Sequence, residues 1–95
     1  RQMCIRDRIL DVAGARALGV RVGLGTDGAA SNNTLDVLEQ ARLAAMLQKH
    51  QRQDATVLRT HEALHLATAG GAAALGMAGE VGTLRVGALA DLVLV

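Results

Sequence analysis

The chain has 95 residues and a formal net charge of +1, which limits it to one small domain. Hydrophobic residues make up 51% of it, but Phe, Tyr, Trp and Pro are absent and Cys4 is the only cysteine, so no aromatic core or internal disulfide is available. The balanced charge argues against nucleic-acid binding, and no apolar run is long enough to span a membrane. The composition predicts a soluble, cytoplasmic piece of something larger.

The first predicted elements are an irregular end and a short helix. Residues 1–8 are polar and cationic without a clear period, and we predict a disordered or non-native end there. From Ile9 to Leu18 the apolar residues recur with the spacing of a short helix, and Gly19 stands where such a helix ends.

The next element is a predicted strand that ends in an aspartate. Residues 20–26 alternate with a period of two, so that Gly23, Gly25 and Asp27 share one face. In a closed barrel the two glycines would leave open space beneath the carboxylate of Asp27. The opposite face, which carries Val20, Val22 and Leu24, would then pack on the surrounding helices. Ligand and catalytic groups lie at the carboxyl ends of strands in parallel α/β proteins, which makes Asp27 a candidate functional residue. An Asp-Gly pair is also a common turn, and that interpretation stays open.

A loop and a long helix follow. Residues 27–33 have the composition of a loop, in which Ser31, Asn32 and Asn33 are predicted to form turns or caps. Asn33 is the predicted N-cap of a helix over residues 35–49.

Later residues predict a broken helix and then a change of pattern. Thr60 is the predicted cap of a helix that breaks at Gly70–Gly71 and closes at Gly76. Residues 80–95 predict two short strands around a turn near Val86–Gly87, with the chain ending inside the second strand, as in a truncated protein.

Several strings in this order resemble one known family. Residues 22–33 read Val-Gly-Leu-Gly-Thr-Asp-Gly-Ala-Ala-Ser-Asn-Asn, and residues 89–93 read Leu-Ala-Asp-Leu-Val. These strings resemble the metal-dependent amidohydrolase superfamily, in the branch of the 5-methylthioadenosine/S-adenosylhomocysteine deaminases, which belongs to the group that includes the triazine hydrolases. The resemblance covers residues 16–95.

The resemblance implies an α/β fold: the C-terminal part of a (β/α)8 barrel. Residues 9–79 would supply the last strand and the terminal helices, and residues 80–95 would begin a small β-sandwich domain. Asp27 would be a catalytic residue, a ligand of a divalent metal (zinc or iron), and a contact to the substrate. The substrate would be a small nucleoside, deaminated by attack of metal-activated water on the amine-bearing ring carbon.

The family's His-x-His pair and other histidine ligands are not in this chain, so the resemblance implies a C-terminal piece that is inactive alone. It further implies a cytoplasmic enzyme, compatible with a homo-oligomer, that binds neither nucleic acid nor membrane. A guanine or triazine hydrolase of the same group is an alternative.

A second metal motif competes with Asp27. Residues 61–65 read His-Glu-Ala-Leu-His, which matches the H-E-x-x-H pattern of zinc peptidases. On a helix, His61 and His65 share a face and Glu62 could act as a base, but the expected third ligand position holds Gly71. Two helix-surface histidines are the simpler interpretation. A small helical module that binds another protein is the third alternative.

Overall fold

A computed structural model describes residues 9–95. The predictions for residues 1–8, including Cys4, lie outside the described residues. Five helices follow one another along the chain: α1 (Val12–Ala17), α2 (Ala29–Asn32), α3 (Val37–Arg52), α4 (Thr60–Ala67) and α5 (Ala69–Ala74). Residues 9–95 contain no strand, and their one β-bridge joins Ala78 to Val81. None of the described helices is long and apolar enough to cross a membrane.

Helix α1 confirms the predicted short helix near the start. The carboxylate of Asp11 accepts a hydrogen bond from the Gly14 N–H at 3.0 Å and so caps the first turn. The helix ends before Gly19, whose φ of +79° is a conformation that glycine adopts without steric cost.

Helix α3 is present as predicted, but it begins later and has a different cap. Asp36 is the N-cap, and its Oδ1 accepts hydrogen bonds from the N–H groups of Leu38 (3.0 Å) and Glu39 (3.2 Å). The prediction of Asn33 as N-cap is wrong, because Asn33 instead ends the one-turn helix α2 with φ of +54°. The predicted loop of residues 27–33 therefore contains a helical turn.

Helices α4 and α5 are the two predicted segments, but the break between them lies at Thr68. Thr68 has φ −121° and ψ −100°, and its hydroxyl donates to the Leu64 carbonyl at 2.8 Å. Gly70 is inside α5, where a Cβ would approach the His65 carbonyl oxygen to 2.9 Å, so glycine allows the two helices to meet closely. Arg59, not Thr60, is the N-cap of α4, while Gly76 closes α5 as predicted, with φ of +76°.

The core lies between these helices and consists of small and medium side chains, as the composition requires. Its buried members are Val12, Ala41, Leu58, Ala63 and Leu66. One polar side chain, Gln48 of α3, is buried with them. It accepts from the Ala13 N–H at 3.3 Å and donates to the Leu10 carbonyl at 2.7 Å, which satisfies the amide and attaches α1 to α3.

Residues 20–26 are extended but do not form the predicted strand. A strand is defined by hydrogen bonds to a neighbouring strand, and the described residues provide none. Val22 and Leu24 pack against the helical core as predicted, and the Leu24 N–H donates to the Leu66 carbonyl at 3.3 Å.

The predicted open space beneath Asp27 is found at only one of the two glycines. A Cβ on Gly23 would lie 2.9 Å from the Gly71 Cα, so this glycine contacts α5. A Cβ on Gly25 would meet no atom within 4 Å. The prediction that both glycines face an open interior is therefore wrong for Gly23, because the extended segment lies directly on the backbone of α5.

The two strands predicted within residues 80–95 are also not formed. The predicted turn is present at Val86–Gly87, and the Leu89 N–H donates to the Glu80 carbonyl at 2.8 Å. Beyond it, residues 90–95 are irregular and exposed, for the same reason as at residues 20–26: no neighbouring strand is described.

Candidate functional site

Asp27 lies at the end of the extended segment with an exposed carboxylate. Its φ of +59° places it in the left-handed region, which aspartate tolerates better than most residues. Oδ1 accepts a hydrogen bond from the Gly28 N–H at 2.8 Å. Among the groups that the structure describes, no hydrogen bond reaches Oδ2.

The backbone that carries Asp27 is held by two further hydrogen bonds. The Thr26 hydroxyl donates to the Asp27 carbonyl at 3.0 Å, and Asn32 Nδ2 donates to the Thr26 carbonyl at 2.8 Å. Asn32 reaches back because α2 begins directly after Gly28 and turns the chain toward Thr26. Residues 26–32 therefore form a small closed loop around Asp27.

The carboxylate of Asp27 fits a divalent metal as one ligand. Exposed carboxylate oxygens bind zinc, and a catalytic zinc site takes about three ligands from protein. Within residues 9–95, no three His, Cys, Asp or Glu side chains lie close enough together to hold a metal ion. The described part of the chain therefore contains no complete metal site.

The H-E-x-x-H motif lies on α4, and its glutamate has another partner. Glu62 Oε2 is 2.9 Å from Arg16 Nη1, and the hydrogen bond from Arg16 lowers the pKa of the Glu62 carboxyl, followed by the bond from the Arg59 N–H. His61 and His65 are exposed on the helix surface. Glu62 therefore connects α4 to α1, and the described residues do not build a zinc site around this motif.

A second ion pair has a structural role near the start of the described chain. Arg52 at the end of α3 donates three hydrogen bonds to Asp11, the N-cap of α1, with the shortest distance at 2.6 Å. These bonds, and then the Gly14 N–H, lower the pKa of the Asp11 carboxyl. Both ion pairs of the described residues thus attach α1 to the helical core.

A groove lies between α3 and α4, separate from Asp27. It has a volume of about 520 Å³ and a largely apolar lining. Its lining residues include Ala41, Ala45, Met46 and Leu64. Its lining contains no carboxylate or histidine, and its polar members are Arg42, Lys49 and Thr60.

Sequence reasoning missed one residue of the site. Asn32 was assigned to turns and caps in general, whereas its amide makes a specific bond to the carbonyl that precedes Asp27. The two residues are six positions apart, and no periodic pattern links them. Only the path of the chain through α2 shows the contact.

Comparison with known proteins places the chain in a family. The model of the Amidohydrolase family matches residues 2–95. The chain is 52% identical over 92 residues to the 5-methylthioadenosine/S-adenosylhomocysteine deaminase of Desulforudis audaxviator. That match includes 97% of this chain and 21% of the deaminase. It is 57% identical over 79 residues to the 5'-deoxyadenosine deaminase of Methanoregula boonei, a match that includes 83% of this chain and 17% of that protein.

A solved structure agrees with these sequence matches. The crystal structure of an adenosine deaminase from Xanthomonas campestris with bound zinc is similar with a TM-score of 0.82 and 41% identity. The similarity covers 87% of this chain and 19% of that one. The chain thus spans about a fifth of the length of the relatives it matches. The resemblance seen in the sequence is confirmed: this chain belongs to the amidohydrolase family.

Proposed function

We propose that this chain is part of a metal-dependent hydrolase that deaminates an adenosine-type nucleoside, with 5-methylthioadenosine and S-adenosylhomocysteine as substrates. The observation that carries the proposal is the exposed Asp27 carboxylate, which follows residues 20–26 and accepts a hydrogen bond from the Gly28 N–H through Oδ1. The names of relatives that are 52% and 57% identical support this substrate class.

Asp27 is the one described residue to which we assign catalytic chemistry. A bound divalent metal, zinc in the solved relative and zinc or iron here, supplies a water of lowered pKa. Asp27 contributes one carboxylate ligand. Its carboxylate also accepts a proton from the attacking water and returns it toward the departing ammonia. The Gly28 N–H orients Oδ1 for this role, because it holds that oxygen at 2.8 Å.

We further propose that residues 20–26 become the last strand of a (β/α)8 barrel when the neighbouring strands of the whole protein are present. The extended backbone, the packing of Val22 and Leu24 on the helices, and the similarity to the solved deaminase support this placement. Residues 9–79 then belong to the barrel, and residues 80–95 begin a small β domain. A cytoplasmic location and a homo-oligomer remain predictions.

The competing functions have less support. A guanine or triazine hydrolase would use the same Asp27, and only the substrate separates it from a nucleoside deaminase. A zinc peptidase requires Glu62 as a base, but Glu62 is paired with Arg16. An independent interaction module is at odds with a family match that runs over residues 2–95.

The test uses a chimera in which the 92 matching residues of this chain replace the aligned stretch of the Desulforudis audaxviator deaminase. A match of 92 of the 95 residues includes Asp27 and Asn32 wherever it begins. We expect the chimera to deaminate 5-methylthioadenosine and to bind zinc. Asp27→Asn keeps the shape of the side chain and removes its charge, and we expect it to lower kcat by at least about 100-fold.

The control is Glu39→Gln, which neutralises an exposed carboxylate in the first turn of α3. We expect its kcat to stay within about twofold of the parent, since surface substitutions away from a site have small effects. An Asp27→Asn chimera with near-parental kcat and zinc content would contradict the assignment. Turnover of guanine or a triazine, with none of 5-methylthioadenosine, would favour the other members of the group.

A further inference from the structure

The loop that follows Asp27 contains an amide whose position suggests a second role in the site. Asn32 is half-buried, and its Nδ2 lies 2.8 Å from the carbonyl oxygen of Thr26. That carbonyl belongs to the peptide unit that joins Thr26 to Asp27. Because a peptide unit is planar, a hydrogen bond to its oxygen also restricts the orientation of the Asp27 N–Cα bond.

This restriction matters because Asp27 is in an unusual backbone conformation. A φ of +59° costs energy for any residue with a Cβ, and it persists only where the surroundings hold it. The Gly28 N–H holds the carboxylate from one side through Oδ1, and the Asn32 amide holds the preceding peptide from the other. Together they determine the direction in which the carboxylate projects.

We infer that Asn32 is a positioning residue that orients Asp27 toward its metal through the Thr26 carbonyl. The inference rests on the proposed function, since it takes Asp27 as a metal ligand. Residues that do not touch the metal but hydrogen-bond to its ligands and orient them contribute about 10- to 100-fold to metal affinity or activity. Asn32 acts on the backbone of the ligand residue, and it does not touch the substrate or the metal.

Two variants of the chimera remove the amide donor while keeping its shape. Asn32→Leu replaces the amide with an uncharged branch of similar size, and Asn32→Asp replaces it with a carboxylate. We expect both to raise the zinc dissociation constant by about 10- to 100-fold, measured by competition with a chelating dye. We expect KM for 5-methylthioadenosine at saturating zinc to stay within about twofold, because Asn32 does not contact substrate.

The matched control is the neighbouring asparagine. Asn33 has φ of +54°, and its side chain makes no hydrogen bond with a described residue, so Asn33→Gly keeps the backbone and removes only the amide. We expect its zinc affinity to equal that of the parent. The thermal midpoint of each metal-free variant shows whether the fold is intact. The absorption spectrum of the Co²⁺-substituted protein reports the ligand geometry directly.

The outcomes separate this inference from the proposed function. Parental zinc affinity and an unchanged Co²⁺ spectrum in Asn32→Leu would overturn the positioning role. So would a loss in Asn32→Leu with none in Asn32→Asp, because both variants lack the amide donor and its removal could not then be the cause. A chimera that binds zinc through Asp27 but deaminates no nucleoside would refute the proposed reaction, while the zinc measurements would still decide the role of Asn32. A chimera whose zinc affinity does not depend on Asp27 would overturn both.

Discussion

Residues 37–74 contain three helices that pair most of their backbone groups internally, whereas residues 20–26 lie outside any helix and make one described backbone hydrogen bond to those helices. That bond joins the Leu24 N–H to the Leu66 carbonyl at 3.3 Å. Both regions are built from small apolar residues and glycines. The difference lies in where the backbone partners are found: a helix finds them four residues away, and a strand finds them on another strand.

The candidate site lies in the region that has fewer described backbone hydrogen bonds. Asp27 ends the extended segment, and its orientation depends on contacts within residues 26–32. Functional groups are often carried by loops that a rigid scaffold positions. Here the helices α3 to α5 are the scaffold, and the extended segment presents the carboxylate.

The largest effect is expected from shortening the buried side chain of Leu66 in the helical region. Leu66 is 2% exposed in the core, and its carbonyl receives the bond from Leu24. Leu66→Ala should destabilise the helical region by about 2–5 kcal/mol, because the small neighbouring side chains cannot fill the cavity. Amide hydrogen exchange of α4 in the chimera measures this loss. Leu64 is 50% exposed on the same helix, and Leu64→Ala should change the free energy of opening measured by exchange by only about 0.5 kcal/mol. Equal effects at the two positions would contradict the assigned core.

A smaller effect is expected where the extended segment contacts α5. In Gly23→Ala the new methyl group would lie 2.9 Å from the Gly71 Cα, so the segment must move away from the helix. We expect a loss of about 1–3 kcal/mol, seen as a lower thermal midpoint of the chimera. Gly25→Ala meets no atom within 4 Å, and Gly25 does not have a positive φ. That variant should leave the thermal midpoint nearly unchanged. A larger drop in the midpoint for Gly25→Ala than for Gly23→Ala would contradict the described packing.

The smallest effect is expected from the ion pair between α1 and α4. Arg16 lowers the pKa of Glu62 below the ordinary value of 4.5, so the stabilisation is complete above that value and is lost as the pH falls through the lower folded pKa. A double-mutant cycle of Arg16→Gln and Glu62→Gln should give a coupling of less than about 1 kcal/mol at pH 7, since about a third of each side chain is exposed.

This coupling should disappear in acid, when Glu62 is protonated. The thermal midpoints of the four chimeras at pH 7 and at acidic pH measure the difference. Glu80→Gln, at an exposed position whose side chain has no ion pair among the described residues, should show no such dependence on Arg16. A coupling that persists unchanged below the folded pKa would show that charge is not its source.

The helices could be predicted from the sequence because their signals are local. The apolar spacing of residues 9–18 and 35–49 predicts helices that the structure contains, with ends shifted by one to three residues. The N-cap of α3 was harder to predict, because Asn33 and Asp36 both have suitable side chains. Only the path of the chain through α2 places Asp36 at the N-terminus of α3. The break between α4 and α5 lies at Thr68, whose hydroxyl donates to the Leu64 carbonyl. The positions of the glycines do not predict this bond.

By itself, the sequence determined the helical periods and the family, and it singled out Asp27 as the candidate functional residue. These follow from short-range patterns and from a specific string of residues. Only the tertiary structure decided that Gly23 lies against Gly71, that Glu62 pairs with Arg16, and that Asn32 holds the peptide before Asp27. Such contacts join residues brought together by the path of the chain, and periodicity contains no information about that path. The extended backbone of residues 20–26 differs in kind, because its hydrogen-bonding partners are neighbouring strands, and none lies within the described chain.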